Sequence, residues 1–250
     1  MFGHRPDGKR VKHMDPIVAI TPYLMPMRCD AQVFLDHQVD YETLMRYIAD
    51  KSREGVKITF MEILIASYVR GVAEHPEVNR FIMNKQLFNR TQLSAAFTML
   101  MDTQDDSLEE TVVKILFDPS DTIYDVSARV KQAIVKNRKA DAPNFAVKLA
   151  GTVMSVPMLP TLVAGLIRLL DRYGLLPGAL LDALPFHTSM FVTNMASIGM
   201  HRVYHHIYNF GSTSLFFSIG SPERTAAMDL SGKMIRKRYL PVGITADERV

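Results

Sequence analysis

The chain has 250 residues, 48% hydrophobic and 22% charged, with a formal net charge of +3. These values are ordinary for a globular protein with a sizeable core, and the length fits one large domain or two small ones. The dense basic run at residues 233–238 alternates in polarity, which is more typical of a solvated strand face than of a nucleic-acid patch. We therefore expect no nucleic-acid partner.

The cysteine count and the amino-terminal residues indicate the cellular compartment. Cys29 is the only cysteine, which excludes an intramolecular disulfide and a cysteine-based metal site. Residues 1–10 are polar and lack the apolar core of a signal peptide. Both observations favour a reducing, cytoplasmic compartment.

The first elements along the chain are an arm, a strand and a helix. Residues 1–16 are polar and rich in Gly and Pro, and we expect them to form an arm before a single domain, 17–250. Residues 31–39 alternate as in a half-buried strand. Asp40 can then cap a helix that Gly55 ends.

A capping box opens the next helix. The Thr59 hydroxyl and the Glu62 carboxylate can each satisfy a free amide at the helix start. The following turns are apolar on most sides up to Pro76, which predicts a buried helix. Two strands follow, at 93–101 and 111–117, joined by an acidic loop.

The remaining chain adds a helix, an insert and four strands. Thr122 and Asp125 open a helix with apolar residues at helical spacing. Strands are predicted at 190–195, 212–219, 234–240 and 242–246, with a hairpin turn at 231–232 between the second and the third. This order predicts an α/β (α+β) two-layer sandwich, in which a mixed, largely antiparallel sheet has helices mostly on one face.

Residues 145–185 do not fit a compact sandwich. No residue from Leu149 to Ile167 is charged, and this stretch approaches the ~20 residues that a membrane span needs. However, Pro157 and Pro160 would break a helix in mid-course. Four interpretations stay open: a helical hairpin buried in an oligomer contact, an element on a membrane surface, a true span, and an ordinary core insert. We expect an apolar helical insert that contacts a partner subunit or, peripherally, a membrane.

Four segments carry a family resemblance: Val33–Asp40, Ile58–Asn79, Phe191–Met200 and Thr245–Val250. In this order they resemble the catalytic domain of the 2-oxo acid dehydrogenase acyltransferases, whose fold is shared with chloramphenicol acetyltransferase. The third is similar to that family's Phe-Thr-Ile-Ser-Asn-Leu-Gly stretch. The fourth is similar to the Ser-Cys-Asp-His-Arg-Val that leads into its His-x-x-x-Asp-Gly motif. Together they cover most of the chain outside the arm and the insert.

The resemblance implies an assembly as well as a fold. In the family, a coenzyme A thioester and an acceptor thiol meet in a channel between adjacent subunits of a trimer. We therefore expect a homotrimer, with larger cages possible. No lipoyl domain precedes the match, so we expect a free-standing catalytic-domain homologue that takes a coenzyme A thioester as substrate and uses no metal.

Carried over residue by residue, the family's oxyanion hydroxyl falls on Thr193 and its catalytic histidine on Glu248. One hydroxyl aimed at an oxyanion can supply about 3 kcal/mol. The alternative for Thr193 is a threonine that suits a strand. We also expect Asn194 and Ser197, on the same stretch, to contact the coenzyme A thioester.

Glu248 departs from the family pattern. A carboxylate titrates near 4.3 in water, whereas a base acting on a thiol works best near neutrality, so a glutamate base would need burial. Glu248 is therefore either such a base or a relic in a chain that has lost the reaction. The chain ends at Val250, before the motif's Asp-Gly would follow Glu248, and we expect a fragment rather than an incomplete site.

Three histidines follow the Thr193 strand. His201 and His205 have the spacing of one helix face, which can hold a metal, but no third ligand is fixed by spacing and we expect none. His205 or His206 is a candidate substitute base. The alternative is that these histidines make ordinary polar contacts.

Two functions are compatible with these observations. The leading hypothesis is transfer of an acyl group from a coenzyme A thioester to a thiol or another acceptor at a subunit interface. The alternative is a non-catalytic protein of the same fold that assembles, or binds acyl-CoA, through a degenerate site.

Overall fold

A computed structural model describes residues 5–101, 109–138, 154–228 and 231–250. The strands within these residues are β1 (Gly8–Arg10), β2 (Gln32–Asp40), β3 (Arg80–Met83), β4 (Gln86–Arg90), β5 (Leu93–Met101), β6 (Glu109–Phe117), β7 (Met190–Asn194), β8 (Leu215–Ile219), β9 (Glu223–Met228) and β10 (Met234–Asp247). The helices are α1 (Pro16–Leu24), α2 (Tyr41–Arg53), α3 (Phe60–Glu74), α4 (Ile123–Arg138), α5 (Leu159–Arg172) and α6 (Gly178–Ala183).

Within the described ranges the main sheet has seven strands, six of them in the order β2-β10-β8-β7-β5-β6, and β9 pairs with the first part of β10. β7 runs parallel to both of its neighbours, whereas the other pairs are antiparallel. On one face, α3 and α4 bury apolar residues such as Ile65, Val69 and Val130 against the strands. The mixed, largely antiparallel sheet that the sequence predicts is confirmed.

The other face of the sheet is covered by an extended stretch of chain, residues 201–208, here called the crossing segment. The Val203 amide donates a hydrogen bond to the Ser218 hydroxyl oxygen on β8 (3.0 Å). Ile207 is buried in a cluster with Phe191 and Phe216. Because the segment is not helical, the prediction that His201 and His205 share a helix face is wrong.

Two glycines allow the crossing segment to lie directly on the strands. A Cβ at Gly220 would stand 2.3 Å from the Arg202 amide nitrogen, and one at Gly243 would stand 2.6 Å from the Val203 carbonyl oxygen. Neither atom could move without moving the backbone. A side chain at either position would therefore lift the segment from the sheet.

Local signals in the sequence predict the helix ends correctly. The Asp40 carboxylate accepts from the Thr43 amide (2.8 Å) at the start of α2, and Gly55 follows that helix with φ +85°. Thr59 and Glu62 form the predicted capping box at the start of α3. These signals lie within a few residues of one another, so sequence alone contains them.

The carboxyl-terminal strands differ from the prediction. The strands expected at 234–240 and 242–246 form one strand, β10, that includes Pro241. The Pro241 carbonyl accepts from the Gly220 amide, so its missing N–H also faces the side where β8 has ended and breaks no ladder bond to β2. The turn at 231–232 lies between the unpredicted strand β9 and β10, not between β8 and β10.

The amino-terminal residues pack against the domain. β1 pairs with β4, and β4 with β3, in a separate three-stranded sheet that the sequence did not reveal. Arg5 is buried and pairs with Asp7 and with Asp171 of α5 (2.8 Å to each carboxylate). Residues 5–10 of the expected arm are therefore fixed by buried charges and by strand pairing.

Described residues of the insert form α5 and α6, whereas residues 145–153 lie outside the described part of the chain. Pro160 occupies the first turn of α5, so it begins a helix there and does not interrupt one. At ~1.5 Å per residue, the 14 residues of α5 reach about 21 Å, short of the ~30 Å of a bilayer core. None of the helices in the described ranges combines the length and apolar character that a membrane crossing needs.

Candidate functional site

Thr193 lies near the end of β7, on the face that the crossing segment covers. Its side chain points to the same face as that of Phe191, two residues earlier, and it is half-buried. The hydroxyl lies 3.6 Å from the Met195 sulfur, which is a weak acceptor. The hydroxyl is therefore free to turn toward a stronger acceptor, such as an oxyanion.

Asn194 and Ser197 border Thr193 in a short turn that Gly199 ends with φ +71°. Both residues are exposed. The Ser197 hydroxyl donates to the Asn194 carbonyl (2.6 Å) and fixes the turn, while no contact holds the Asn194 amide group within the described residues. The turn thus presents polar groups beside Thr193, and their contact with coenzyme A stays a prediction.

His205 has a fixed orientation and one unused nitrogen. Its ring stacks on Phe216, with 4.0 Å between the centroids and 9° between the planes. Nδ1 lies 2.7 Å from the His206 carbonyl oxygen, and because a carbonyl only accepts, Nδ1 carries the hydrogen. Burial lowers the pKa of His205 below its usual value, so the neutral form prevails near pH 7. The lone pair on Nε2 has no partner within the described residues.

His205 and Thr193 occupy the same face of the sheet. Phe216 stacks on Phe191 of the adjacent strand (5.1 Å), and Thr193 lies two residues beyond Phe191. Two residues of a strand span about 7 Å, and the stacked rings add an offset across the strands, so the imidazole and the hydroxyl share this face without touching. The crossing segment, not a helix, places His205 there.

The other two histidines have different surroundings. His206 is exposed and its ring lies edge-on to Tyr208 (5.0 Å). His201 is exposed and pairs with Glu223 (2.9 Å). No three potential ligands converge on a metal position among the residues that the structure describes.

Glu248 directly follows β10 and is exposed. Its amide donates to the Ala31 carbonyl (2.9 Å), which fixes its backbone. Its carboxylate makes no hydrogen bond or ion pair with any described residue. The side chain is thus available to a ligand or another subunit, but no group within the described chain orients it.

The residues on either side of Glu248 form a buried ionic network. Asp247 accepts from Arg249 (Nε and Nη2, both 2.7 Å) and from the Arg28 Nε (3.3 Å). Arg28 also donates to the carbonyl oxygens of Tyr208, Gly211 and Ile82. This network ties the end of β10 to the crossing segment and to the small sheet. Sequence reasoning missed Arg28, because its partners are far away in the chain.

Thr193 and Glu248 lie at opposite ends of the sheet in a single chain. Thr193 is in register with Ser218, which pairs with Gly243, and Glu248 lies five residues beyond Gly243. Five residues of a strand span about 17 Å. The two side chains therefore cannot reach one thioester within a protomer and can meet only across a subunit contact.

Comparisons with known proteins identify the fold. No family model matches the chain, and neither does any curated protein. The cubic core of the pyruvate dehydrogenase multienzyme complex matches with a TM-score of 0.59 and 12% identity, over 97% of this chain and 85% of that one. A probable dihydrolipoamide acetyltransferase from Listeria monocytogenes 4b F2365 matches with a TM-score of 0.58 and 12% identity, over 97% and 87%.

A third match is chloramphenicol acetyltransferase, with a TM-score of 0.52 and 9% identity over 97% of this chain and 91% of that one. At these identities the likeness establishes the fold and leaves the activity open. The chain therefore has the chloramphenicol-acetyltransferase-like fold of the dihydrolipoamide acetyltransferase catalytic cores, as the sequence resemblance implied.

Proposed function

We propose that the protein is an acyltransferase that moves an acyl group from a coenzyme A thioester to a thiol or a similar acceptor. Thr193 would donate to the oxyanion and His205 would accept the proton. The observation that carries this proposal is a neutral histidine, on the sheet face that presents Thr193, whose Nε2 has no partner in the described part of the chain. Proteins of the same fold that are named acetyltransferases support the reaction class.

The reaction needs one proton acceptor and one oxyanion donor. As the acceptor sulfur bonds to the thioester carbon, its proton passes to Nε2 of His205. The carbonyl oxygen becomes an oxyanion that accepts from the Thr193 hydroxyl. When the intermediate collapses, the carbon–sulfur bond to coenzyme A breaks, and the leaving thiolate takes the proton back from His205.

A homotrimer would complete the site with a second protomer. Among the described strands β2 lies at the edge of the main sheet, and its Phe34 and Leu35 are exposed, so both the strand edge and these apolar side chains are available to a second protomer. Such an arrangement can bring Glu248 of one protomer opposite Thr193 of the next. Glu248 is then a second candidate for the base, but no described residue orients its carboxylate, which favours His205.

An acyl-transfer assay with acetyl-CoA and dihydrolipoamide tests the proposal. We expect His205→Gln to lower kcat/KM by about 10²- to 10⁴-fold and Thr193→Ala by about 10²- to 10³-fold. His75→Gln is a matched control, because that side chain is 66% exposed and lies on a different part of the surface. If neither change affects turnover, the proposed site is wrong.

The alternative is a non-catalytic protein that binds acyl-CoA or only assembles. The observation in its favour is the exposed Glu248, which stands at the position of the family's catalytic histidine and has no orienting group in the described chain. Calorimetry separates the two functions. Heat of acyl-CoA binding without release of free coenzyme A would favour the non-catalytic protein, whereas measurable turnover would exclude it.

A further inference from the structure

Two helices expose apolar side chains: α1, which carries no charged residue, and α5, which is amphipathic. On α1, Ile17 (76% exposed), Ile20 and Leu24 (70%) lie at positions i, i+3 and i+7 and share one face. On α5, three leucines occur at the same kind of spacing and are exposed by more than half: Leu162, Leu166 and Leu169. We call these two stripes the apolar flanks. Exposed apolar stripes of this length indicate a surface that contacts a membrane or another molecule.

A basic cleft of about 350 Å³ lies between the carboxyl-terminal ends of the two helices. Its floor is the buried pair Arg28 and Arg249, and its rim carries the exposed cations Lys85, Arg168 and Arg172. Among the described residues that line the cleft, five are cations and one is a carboxylate.

Side-chain contacts join the elements around the cleft. The Lys85 ammonium, at the β3–β4 turn, lies 4.7 Å from the Tyr23 ring centroid on α1. The Arg172 Nε donates to the side-chain oxygen of Asn84 in the same turn (2.9 Å). Both helices therefore contact the same turn and border the cleft from two sides.

Charges on this surface remain available to a ligand. Asp171, which is the one carboxylate among the described residues lining the cleft, is already paired with Arg5 and His187. The Arg168 guanidinium makes no hydrogen bond within the described chain. An anion placed in the cleft would thus meet positive groups that are not fully neutralised.

The charge and the apolar area together favour an anionic membrane over a second copy of the chain as the partner of this surface. A second copy docked by the same surface would bring its own cations against Lys85, Arg168 and Arg172, which repels. An anionic bilayer offers phosphates to the cleft and acyl chains to the apolar flanks. α5 is too short to cross a bilayer but long enough to lie in its surface, with arginines on the stripe beside its leucines.

We propose that α1 and α5 form a docking surface for an anionic lipid membrane, in which the basic cleft holds a lipid phosphate and the apolar flanks enter the acyl region. Attraction to an anionic surface is worth about fivefold in affinity for each Lys or Arg near the lipid. Docking of this kind does not depend on acyl transfer, and its measurement needs no turnover.

Co-sedimentation of the full chain with lipid vesicles tests this proposal. We expect binding to phosphatidylcholine vesicles that contain phosphatidylglycerol, and much weaker binding to phosphatidylcholine alone. The pair Arg168→Gln and Arg172→Gln should weaken binding by about 25-fold, and the pair Leu162→Asn and Leu166→Asn by about tenfold or more.

Matched controls are Arg53→Gln on α2, where the side chain is 80% exposed, and Leu116→Asn on β6, where it is 47% exposed. Both should bind like the parent. Equal binding to the two vesicle types, unaffected by the changes on α5, would overturn the proposal.

Two further outcomes would also overturn the proposal. The first is binding of 3′,5′-ADP that requires Arg168 and Arg172 while vesicles stay unbound, which would assign the cleft to a soluble phosphate. The second is a lower subunit number after the leucine changes, measured by light scattering, with no effect on vesicle binding, which would make the flank on α5 a subunit contact.

Discussion

The two ends of the main sheet use polar residues differently. At the Glu248 end, Arg28, Asp247 and Arg249 are buried and satisfy one another, so their charges hold chain segments together. At the Thr193 end, a hydroxyl faces a weak acceptor and an imidazole nitrogen has no partner within the described residues. A motif position in the sequence therefore need not coincide with the groups that are free to react.

The largest effect on stability should come from breaking the ionic network. Arg28→Met leaves Asp247 with one cation and three carbonyl groups without their donor, and we expect the free energy of unfolding to fall by about 3–5 kcal/mol. Urea denaturation measures this change. Arg53→Met, at a side chain that is 80% exposed, should cost less than about 1 kcal/mol. A loss below about 1 kcal/mol for Arg28→Met would show that the network does not stabilise the Glu248 end of the sheet.

An intermediate effect should follow from displacing the crossing segment. Gly220→Ala and Gly243→Ala each place a Cβ against its backbone, and we expect each change to cost about 1–3 kcal/mol. Gly71→Ala in α3 is the matched control, because no described atom lies within 4 Å of the added Cβ and alanine favours a helix by about 0.5–1 kcal/mol. Thermal unfolding should order the variants accordingly. If Gly243→Ala is as stable as Gly71→Ala, the segment does not rest on the sheet.

A smaller effect concerns pH. Because burial lowers the pKa of His205 in the folded state, the stability that its neutral ring contributes is complete above about pH 6.5 and is lost as the pH falls through the lowered value. His205→Phe removes this loss, so the variant should become more stable relative to the parent below about pH 6.5. His75→Phe, at an exposed site, should keep the parent's slope. If the curves of unfolding free energy against pH run parallel for the parent and His205→Phe, the burial of this imidazole is contradicted.

The smallest effect is expected at Glu248. Its carboxylate has no partner within the described chain, so Glu248→Gln should change the free energy of unfolding by no more than about 0.5 kcal/mol in the isolated protomer. Asp247→Asn, one residue earlier, should cost several times more because it disrupts the buried pairing. A large loss for Glu248→Gln would reveal a structural role.

Features that depend on neighbouring residues could be predicted from the sequence, whereas features that depend on distant residues could not. The caps at Asp40 and Thr59 and the longer strands of the main sheet were predictable, because hydrophobic period and capping act over a few residues. The small sheet was not, since its strands of three to five residues are too short to show alternation. The network of Arg28 was hidden for another reason: its partners lie up to 219 residues away.

The candidate site was predictable in part. The resemblance placed Thr193 and Glu248 at motif positions, and proximity along the chain singled out His205 and His206. Sequence could not show that 201–208 is extended, because the glycines that seat it on the sheet lie far along the chain. It also could not show that Nδ1 of His205 is occupied by the next carbonyl, which is what frees Nε2.

The pH dependence of kcat/KM for acetyl-CoA and dihydrolipoamide, measured in the parent, His205→Gln and Glu248→Gln, identifies the base. We predict that the parent rate rises with pH through a pKa below the usual value for histidine, that Glu248→Gln keeps this rise, and that His205→Gln abolishes it together with most of the rate. A profile that survives in His205→Gln but disappears in Glu248→Gln would contradict the account and assign the base to Glu248.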